Sequence, residues 1–336
     1  MVGLLVGRVL IYTVMYRILC WLMIAYGFYR LFTLSTEYCV IESLVDRPGG
    51  VKLGAVRERT AGVKFAQVRR AGKARAVVES GGCWYELNRP LHKFVGSSDL
   101  GSVSPAEMGA RPVDVRIDEF IAPLNKVQRV LCVGLNFTDH AAEVGAELPT
   151  YPTIFTKFGN ALIGPGEAIE LPAESTKIDW EVELCAVVGR RGRHIAEDQV
   201  DDYLLGYTVL NDVSVRDWQG RTSEWFQGKN WDRMTPFGPV IVSPDELDIA
   251  GGLAMTCTVD GEVRQQGTTA NMVFTPAQVV SYISTFMTLE PGDLIALGTP
   301  AGVGLSLRPR KWLGPGQTVV TSIEGIGTLT NRCEQV

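Results

Sequence analysis

Two stretches decide the reading of this chain: Asp179-Trp180-Glu181-Val182-Glu183-Leu184 and, further on, Leu204-Leu205-Gly206-Tyr207-Thr208-Val209-Leu210-Asn211-Asp212. The first alternates strictly. As a strand it sends Trp180, Val182 and Leu184 to one side and Asp179, Glu181 and Glu183 to the other. Glu181 and Glu183 then stand about 6.5–7 Å apart along the strand, near enough for both to reach one cation. A solvated strand face is the competing reading, because an acidic row is costly unless it is hydrated or neutralised. The second stretch is almost wholly apolar and ends in Asp212, and a carboxylate closing a buried strand needs a partner. Three carboxylates with no histidine or cysteine beside them suit a hard cation, Mg²⁺ or Mn²⁺, with positions left for water and substrate oxygens. Zinc would more often recruit nitrogen or sulfur.

Outward from this pair, strands dominate. VLCVGL from Val130, LLGYTVL, PVIVS, AMTCTVD, LIALG and VVTSIE are rich in Val, Ile, Leu and Thr. One helix stands out: Thr275 as N-cap and Pro276 at the first helical position open VVSYISTFMTL, which ends at the turn Glu290-Pro291-Gly292-Asp293. Many strands and few helices predict a β-rich α+β domain, and the βαβ rhythm of a doubly wound sheet is missing. No G-x-G-x-x-G follows a strand and no Walker loop occurs, so nucleotide binding has no support. Residues 51–121 read as a small β-rich N-terminal domain of short strands and polar turns. Residues 116–129 connect it to the main domain, 126–336.

The chain has 336 residues, 46% hydrophobic and 21% charged, with net charge −5. That is globular usage for about two domains, and the acidic balance argues against a nucleic-acid partner. Seven cysteines, none as C-x-x-C, argue against a zinc ribbon or a paired disulfide framework and favour buried thiols in a reducing, cytoplasmic setting.

Residues 1–50 do not match the rest. Residues 9–29 are long and apolar enough to span a bilayer, but Arg17 would sit near its middle at roughly 2.5–3.5 kcal/mol. No small-x-small cleavage site follows, so a signal peptide fits poorly. The segment reads as an over-extended gene start with the protein beginning near Val51, as an N-terminal membrane anchor, or as an apolar helix. A membrane partner is expected only if the 9–29 segment is real.

Among the three histidines, His140 lies in Asn136-Phe137-Thr138-Asp139-His140-Ala141-Ala142-Glu143. On a helix His140 and Glu143 are i,i+3 neighbours, and a carboxylate that orients an imidazole makes a general base for water. A surface ion pair is the alternative. His92 and His194 sit among polar residues and read as surface. Lys157 and Lys229 are candidate anion holders, with solvated lysines as the alternative. The loop Gly298-Thr299-Pro300-Ala301-Gly302-Val303-Gly304 after LIAL has glycines enough for a backbone cradle offering free N–H groups to an anion.

From Val133 to Gly327 the sequence resembles the fumarylacetoacetate hydrolase family. The blocks VGLNFTDHAAE, DWEVELCAVVG, GYTVLNDVSVRDWQ, GKNWD with TPFGP, FTPAQVVSYIS and LEPGDLIALGTPAGVG follow that family's order. The resemblance implies a mixed β-roll catalytic domain, a homodimer, and a divalent cation, Mg²⁺ or Mn²⁺. Position by position it implies metal ligands Glu181, Glu183 and Asp212, an acid–base pair His140 and Glu143, and Lys229 as a catalytic cation. It further implies that Lys157, Gln219 and Thr299 contact substrate or organise the site. The block often written K-S-F/Y-D reads Lys229-Asn230-Trp231-Asp232 here, and residues 220–228 form the part that varies with substrate. The implied activity is hydrolysis of a C–C bond in an acylpyruvate-type 2,4-dioxo acid such as fumarylpyruvate. The implied alternatives are decarboxylation of an oxaloacetate-like β-keto acid and isomerisation of 2-hydroxyhepta-2,4-diene-1,7-dioate. The partner is a small oxo acid.

Overall fold

The computed structural model describes residues 63–88, 90–93, 95 and 109–336, so the expectations for the apolar stretch 9–29 lie outside the described residues. Among the described residues, no helix is long and apolar enough to cross a membrane.

The architecture is β-rich with mixed sheets, as expected. The main sheet runs, edge to edge, through Arg111–Pro112, Cys83–Glu86, Lys73–Ser80, Val63–Arg70, Thr235–Val242, Leu204–Asn211, Val182–Val188, Leu294–Ala296, Arg129–Gly134 and Thr153–Phe158. Most neighbours are antiparallel, but Leu294–Ala296 runs parallel to Arg129–Gly134. A second sheet orders Glu262–Thr268, Ala254–Val259, Thr318–Ile323, Gly327–Gln335 and Ile169–Leu171. Residues 63–86, which sequence reading sets apart as a small domain, are strands of the main sheet, since Val63–Arg70 pairs with Thr235–Val242.

Why the central strands carry so few polar residues is plain from their surroundings. Every residue of Val182–Val188, Leu204–Asn211 and Thr235–Val242 is buried. One face of the main sheet packs Leu184, Ala186, Val209 and Val242 with Met255, Cys257, Val319 and Leu329 of the second sheet. The other packs Cys185, Val187, Leu210 and Ile241 with Leu87, Leu91 and Leu124. Strands covered on both faces lose the apolar–polar alternation of a half-exposed sheet. Cys132, Cys185, Cys257 and Cys333 are buried and free.

The helix expected after Thr275 spans Pro276–Phe286. Thr275 Oγ1 accepts from the Gln278 N–H at 3.2 Å, and Gln278 Oε1 accepts from the Thr275 N–H at 2.9 Å, a reciprocal cap. The outermost strand, Thr153–Phe158, is covered on its open side by one side chain. Asn230 Oδ1 accepts from the Phe158 N–H at 2.8 Å, and Asn230 Nδ2 donates to the Thr156 carbonyl at 2.9 Å.

Candidate active site

Strand register assembles the three carboxylates. Val182 faces Asn211 and Glu183 faces Leu210 in the antiparallel pair. Just beyond, the Asp212 N–H donates to the Glu181 carbonyl at 2.9 Å, and Asn211 Oδ1 accepts from the Glu181 N–H at 2.9 Å. Opposed residues share a face, so Glu181, Glu183 and Asp212 point the same way. One oxygen of each lies within 4.8 Å of the others, and all three residues are buried. The acidic row is therefore not a solvated strand face. Its strand is also broken: Ile178–Asp179 pairs with Ser214–Val215, and Trp180 and Glu181 turn the corner into Val182–Val188.

Cationic side chains converge on the same carboxylates. Lys229 Nζ donates to Glu181 Oε2 and to Asp212 Oδ2, each at 2.7 Å. Lys157 Nζ donates to Asp212 Oδ1 at 2.5 Å and to the Val213 carbonyl at 3.1 Å. Arg216 Nη2 lies 2.7 Å from Glu181 Oε1 in a buried ion pair. Burial alone would raise Glu181, but Lys229 and Arg216 outweigh it and hold the carboxyl well below its ordinary range. Glu183 has no such partner. Burial, with Asp212 and Glu181 beside it, pushes its carboxyl well above the ordinary range. Lys229 is held charged, since Asp212 and Glu181 overcome the effect of burial.

The donor set fits a hard divalent ion. Oxygens around an octahedral Mg²⁺ at about 2.1 Å are at most about 4.2 Å apart, and around Ca²⁺ up to about 5 Å. A spread within 4.8 Å closes onto the smaller ion with shifts of a few tenths of an ångström. Counting Asp179, four buried carboxylates face Lys157, Lys229 and Arg216. With all four ionised around a divalent ion, the site would carry an excess of one positive charge, which favours an anionic ligand.

His140 and Glu143 lie on the helix Thr138–Val144. His140 Nδ1 is 3.1 Å from Glu143 Oε2. An imidazole that donates Nδ1–H to a carboxylate keeps the Nε2 lone pair free to accept a proton. Burial works to raise Glu143, but the hydrogen bonds with His140 and the Gly302 N–H outweigh it and leave the carboxyl below its ordinary range.

The glycine loop differs from expectation in what it binds. Its three glycine N–H groups all donate to the protein's own carboxylates: Gly298 to Glu183 Oε2 at 2.8 Å, Gly302 to Glu143 Oε1 at 2.9 Å, and Gly304 to Asp179 Oδ1 at 2.6 Å. They are not free for an external anion. Gly298 has φ +89° and Gly302 φ +104°, and a Cβ at Gly302 would stand 2.2 Å from the Arg264 carbonyl oxygen, so the path admits only glycine there.

A cleft of about 370 Å³ opens here, lined by His140, Glu181, Glu183, Arg216, Gln219, Lys229 and Thr299 among polar residues. Its apolar walls include Val133, Phe155, Trp225 and Leu305. Gln219 Oε1 accepts from Arg216 Nη1 at 2.9 Å. Thr299 Oγ1 donates to the Val182 carbonyl at 2.9 Å and accepts from Gln265 Nε2 at 2.8 Å. Lys157 does not line the cleft. It has 0% exposure and bonds Asp212, which is itself fully buried behind the cleft wall. Nor do His92 and His194 line it. Thr222, Ser223 and Trp225 bring the 220–228 loop to the wall. Sequence reading passed over Arg216. The signal was its place three residues before Gln219 in RDWQ, close behind the strand that ends at Asp212.

The sequence profile of "Fumarylacetoacetate (FAA) hydrolase C-terminal" matches residues 129–334. The chain is 41% identical to the mitochondrial oxaloacetate tautomerase of Rattus norvegicus over 63% of this chain and 68% of that protein. Among solved structures, a fumarylacetoacetate hydrolase from psychrophilic Exiguobacterium antarcticum superposes with TM-score 0.70 at 33% identity, covering 82% of this chain and 100% of the other. A 2-hydroxyhepta-2,4-diene-1,7-dioate isomerase from Mycobacterium marinum does so with TM-score 0.63 at 32% identity, covering 81% and 98%.

Proposed function

Because this chain belongs to the fumarylacetoacetate hydrolase family, a family of enzymes, we propose that it is a divalent-metal-dependent enzyme that moves a proton to and from 2-oxo acids at the carbon beside the keto group. The observation that carries this reading is that Glu181, Glu183 and His140 line one cleft, with Asp212 clustered behind the two glutamates and Glu143 bonded to the histidine. Mg²⁺ or Mn²⁺ held by the carboxylates would supply positive charge opposite the carboxylate and keto oxygens of the substrate. His140 Nε2 takes the proton from the carbon or returns it, and Glu143 holds the ring in the tautomer this requires. Arg216, which lines the cleft, receives a substrate carboxylate. Lys229 keeps Glu181 and Asp212 ionised and adds charge beside the forming enolate. An oxaloacetate-like 2-oxo diacid is the substrate class the rat relative favours.

Hydrolysis of an acylpyruvate C–C bond is the second reading. The size of the cleft, about 370 Å³, favours it, because it lies within the range of sites for larger ligands and leaves room for an acyl arm. There His140 takes the proton of water instead. The test is a panel of 2-oxo acids with Mn²⁺-loaded enzyme and product identification. Keto–enol exchange without bond cleavage supports the first reading, and pyruvate plus a second acid supports the other. No turnover of any 2-oxo acid overturns both.

A further inference from the structure

The geometry points to Asp179 as the positioning residue that joins the two halves of the site: its one carboxylate fixes both Arg216 and the Gly302–Leu305 segment. Asp179 has 0% exposure and does not line the cleft. Its oxygens accept from four donors. Oδ1 takes the Gly304 N–H at 2.6 Å and the Trp180 N–H at 2.9 Å. Oδ2 takes Arg216 Nε at 2.7 Å and the Leu305 N–H at 3.0 Å.

Each arm ends at a different part of the chemistry. Through Arg216 the carboxylate sets the guanidinium whose other nitrogens reach Glu181 and Gln219. Through Gly304 and Leu305 it seats the loop whose Gly302 N–H holds Glu143. Fixed donors on all sides need an ionised acceptor, because a carboxylate accepts through both oxygens and donates through neither. An amide of the same size would turn its NH₂ toward a donor on one side whichever way it lay. Asp179 therefore ties substrate binding to the orientation of the general base without touching substrate.

This inference deepens the proposed function and rests on it for its kinetic arm only. The experiment uses Asp179→Asn, Arg216→Gln and Glu143→Gln, singly and with Asp179→Asn in pairs. The first readout is amide hydrogen exchange of the full chain, without substrate. Asp179→Asn should speed exchange of the peptide carrying Gly302–Leu305 at least tenfold and leave peptides of the 254–259 and 318–323 strands unchanged, while Arg216→Gln should leave the loop protected. Unchanged loop exchange in Asp179→Asn overturns the inference, and so does acceleration spread evenly over the chain. The second readout is the division between KM and kcat, with losses of ~10- to 100-fold expected for a supporting residue of this kind. The rise in KM should not add to that of Arg216→Gln, and the fall in kcat should not add to that of Glu143→Gln. Losses that multiply in both pairs overturn it. If Asp179→Asn does not fold, Asp179→Ser, smaller and still an acceptor, is read by the same exchange. A wild-type chain that turns over no 2-oxo acid removes the functional reading and leaves the exchange result standing.

Discussion

Glu143→Gln tests the proton-handling pair with almost no change of shape. Glu143 Oε1 accepts from the Gly302 N–H at 2.9 Å, and Oε2 lies 3.1 Å from His140 Nδ1. Glutamine can keep the first bond with its carbonyl oxygen, and its NH₂ then points at Nδ1. That nitrogen must become an acceptor, so the ring proton moves to Nε2, the atom that has to accept the substrate's proton. The variant keeps the fold and the three metal ligands and loses the base. General acid–base catalysis contributes about 10²–10⁴-fold, which at 1.36 kcal/mol per decade is roughly 2.7–5.5 kcal/mol of barrier. We expect kcat to fall by that range, with KM and Mn²⁺ affinity within about threefold of wild type. The assay follows loss of the enol absorbance under saturating substrate and Mn²⁺, with calorimetric Mn²⁺ titration alongside. The wild-type carboxyl lies below its ordinary range. It is therefore ionised throughout the neutral range, so the substitution removes a charge as well as an acceptor from beside the imidazole. A variant within fivefold of wild-type kcat refutes the assignment of His140 as the base.

Chelation should abolish turnover, and Mg²⁺ or Mn²⁺ should restore it, whereas Glu183→Ala should not be restored at the same concentration. In the metal-free chain Glu183 holds its proton to higher pH than an ordinary carboxyl. An incoming cation must displace that proton, so affinity should fall as pH is lowered, with proton release on binding measurable by calorimetry in buffers of different ionisation heat. Gly134→Ala puts a Cβ 2.2 Å from the Trp225 ring. The ring must move into the cleft, and KM should rise with metal affinity unchanged. Thr275→Ala removes one half of the reciprocal cap and should cost about 1 kcal/mol, roughly 2–4 °C in Tm by calorimetry, with kcat untouched.

The carboxylate cluster was legible because strand alternation placed Glu181 and Glu183 together and the apolar run ending at Asp212 marked a buried neighbour. The helix 276–286 was legible from Thr275 and Pro276, and the His140–Glu143 pair from its spacing. Asp179 misled: alternation grouped it with that cluster, but the corner at Trp180–Glu181 turns it toward the 304–305 amides. Nothing in local sequence announces that corner, which is set by pairing with Ser214–Val215. The glycine loop was seen as a set of donors but not assigned its acceptors, because the carboxylates it meets, Asp179, Glu183 and Glu143, lie 125, 115 and 159 residues away in the chain. The place of residues 63–86 in the main sheet was likewise invisible, since it depends on a partner strand at 235–242.

The Asn230 amide gives the boundary strand 153–158 the donor and acceptor that another strand would have offered. An uncovered sheet margin is a template on which foreign chains can stack. Here one side chain takes up two of that margin's backbone groups, and it directly follows Lys229 in the chain. A replacement of Asn230 would free both groups on the sheet margin beside a cleft-lining residue, and should be read for aggregation as well as for turnover.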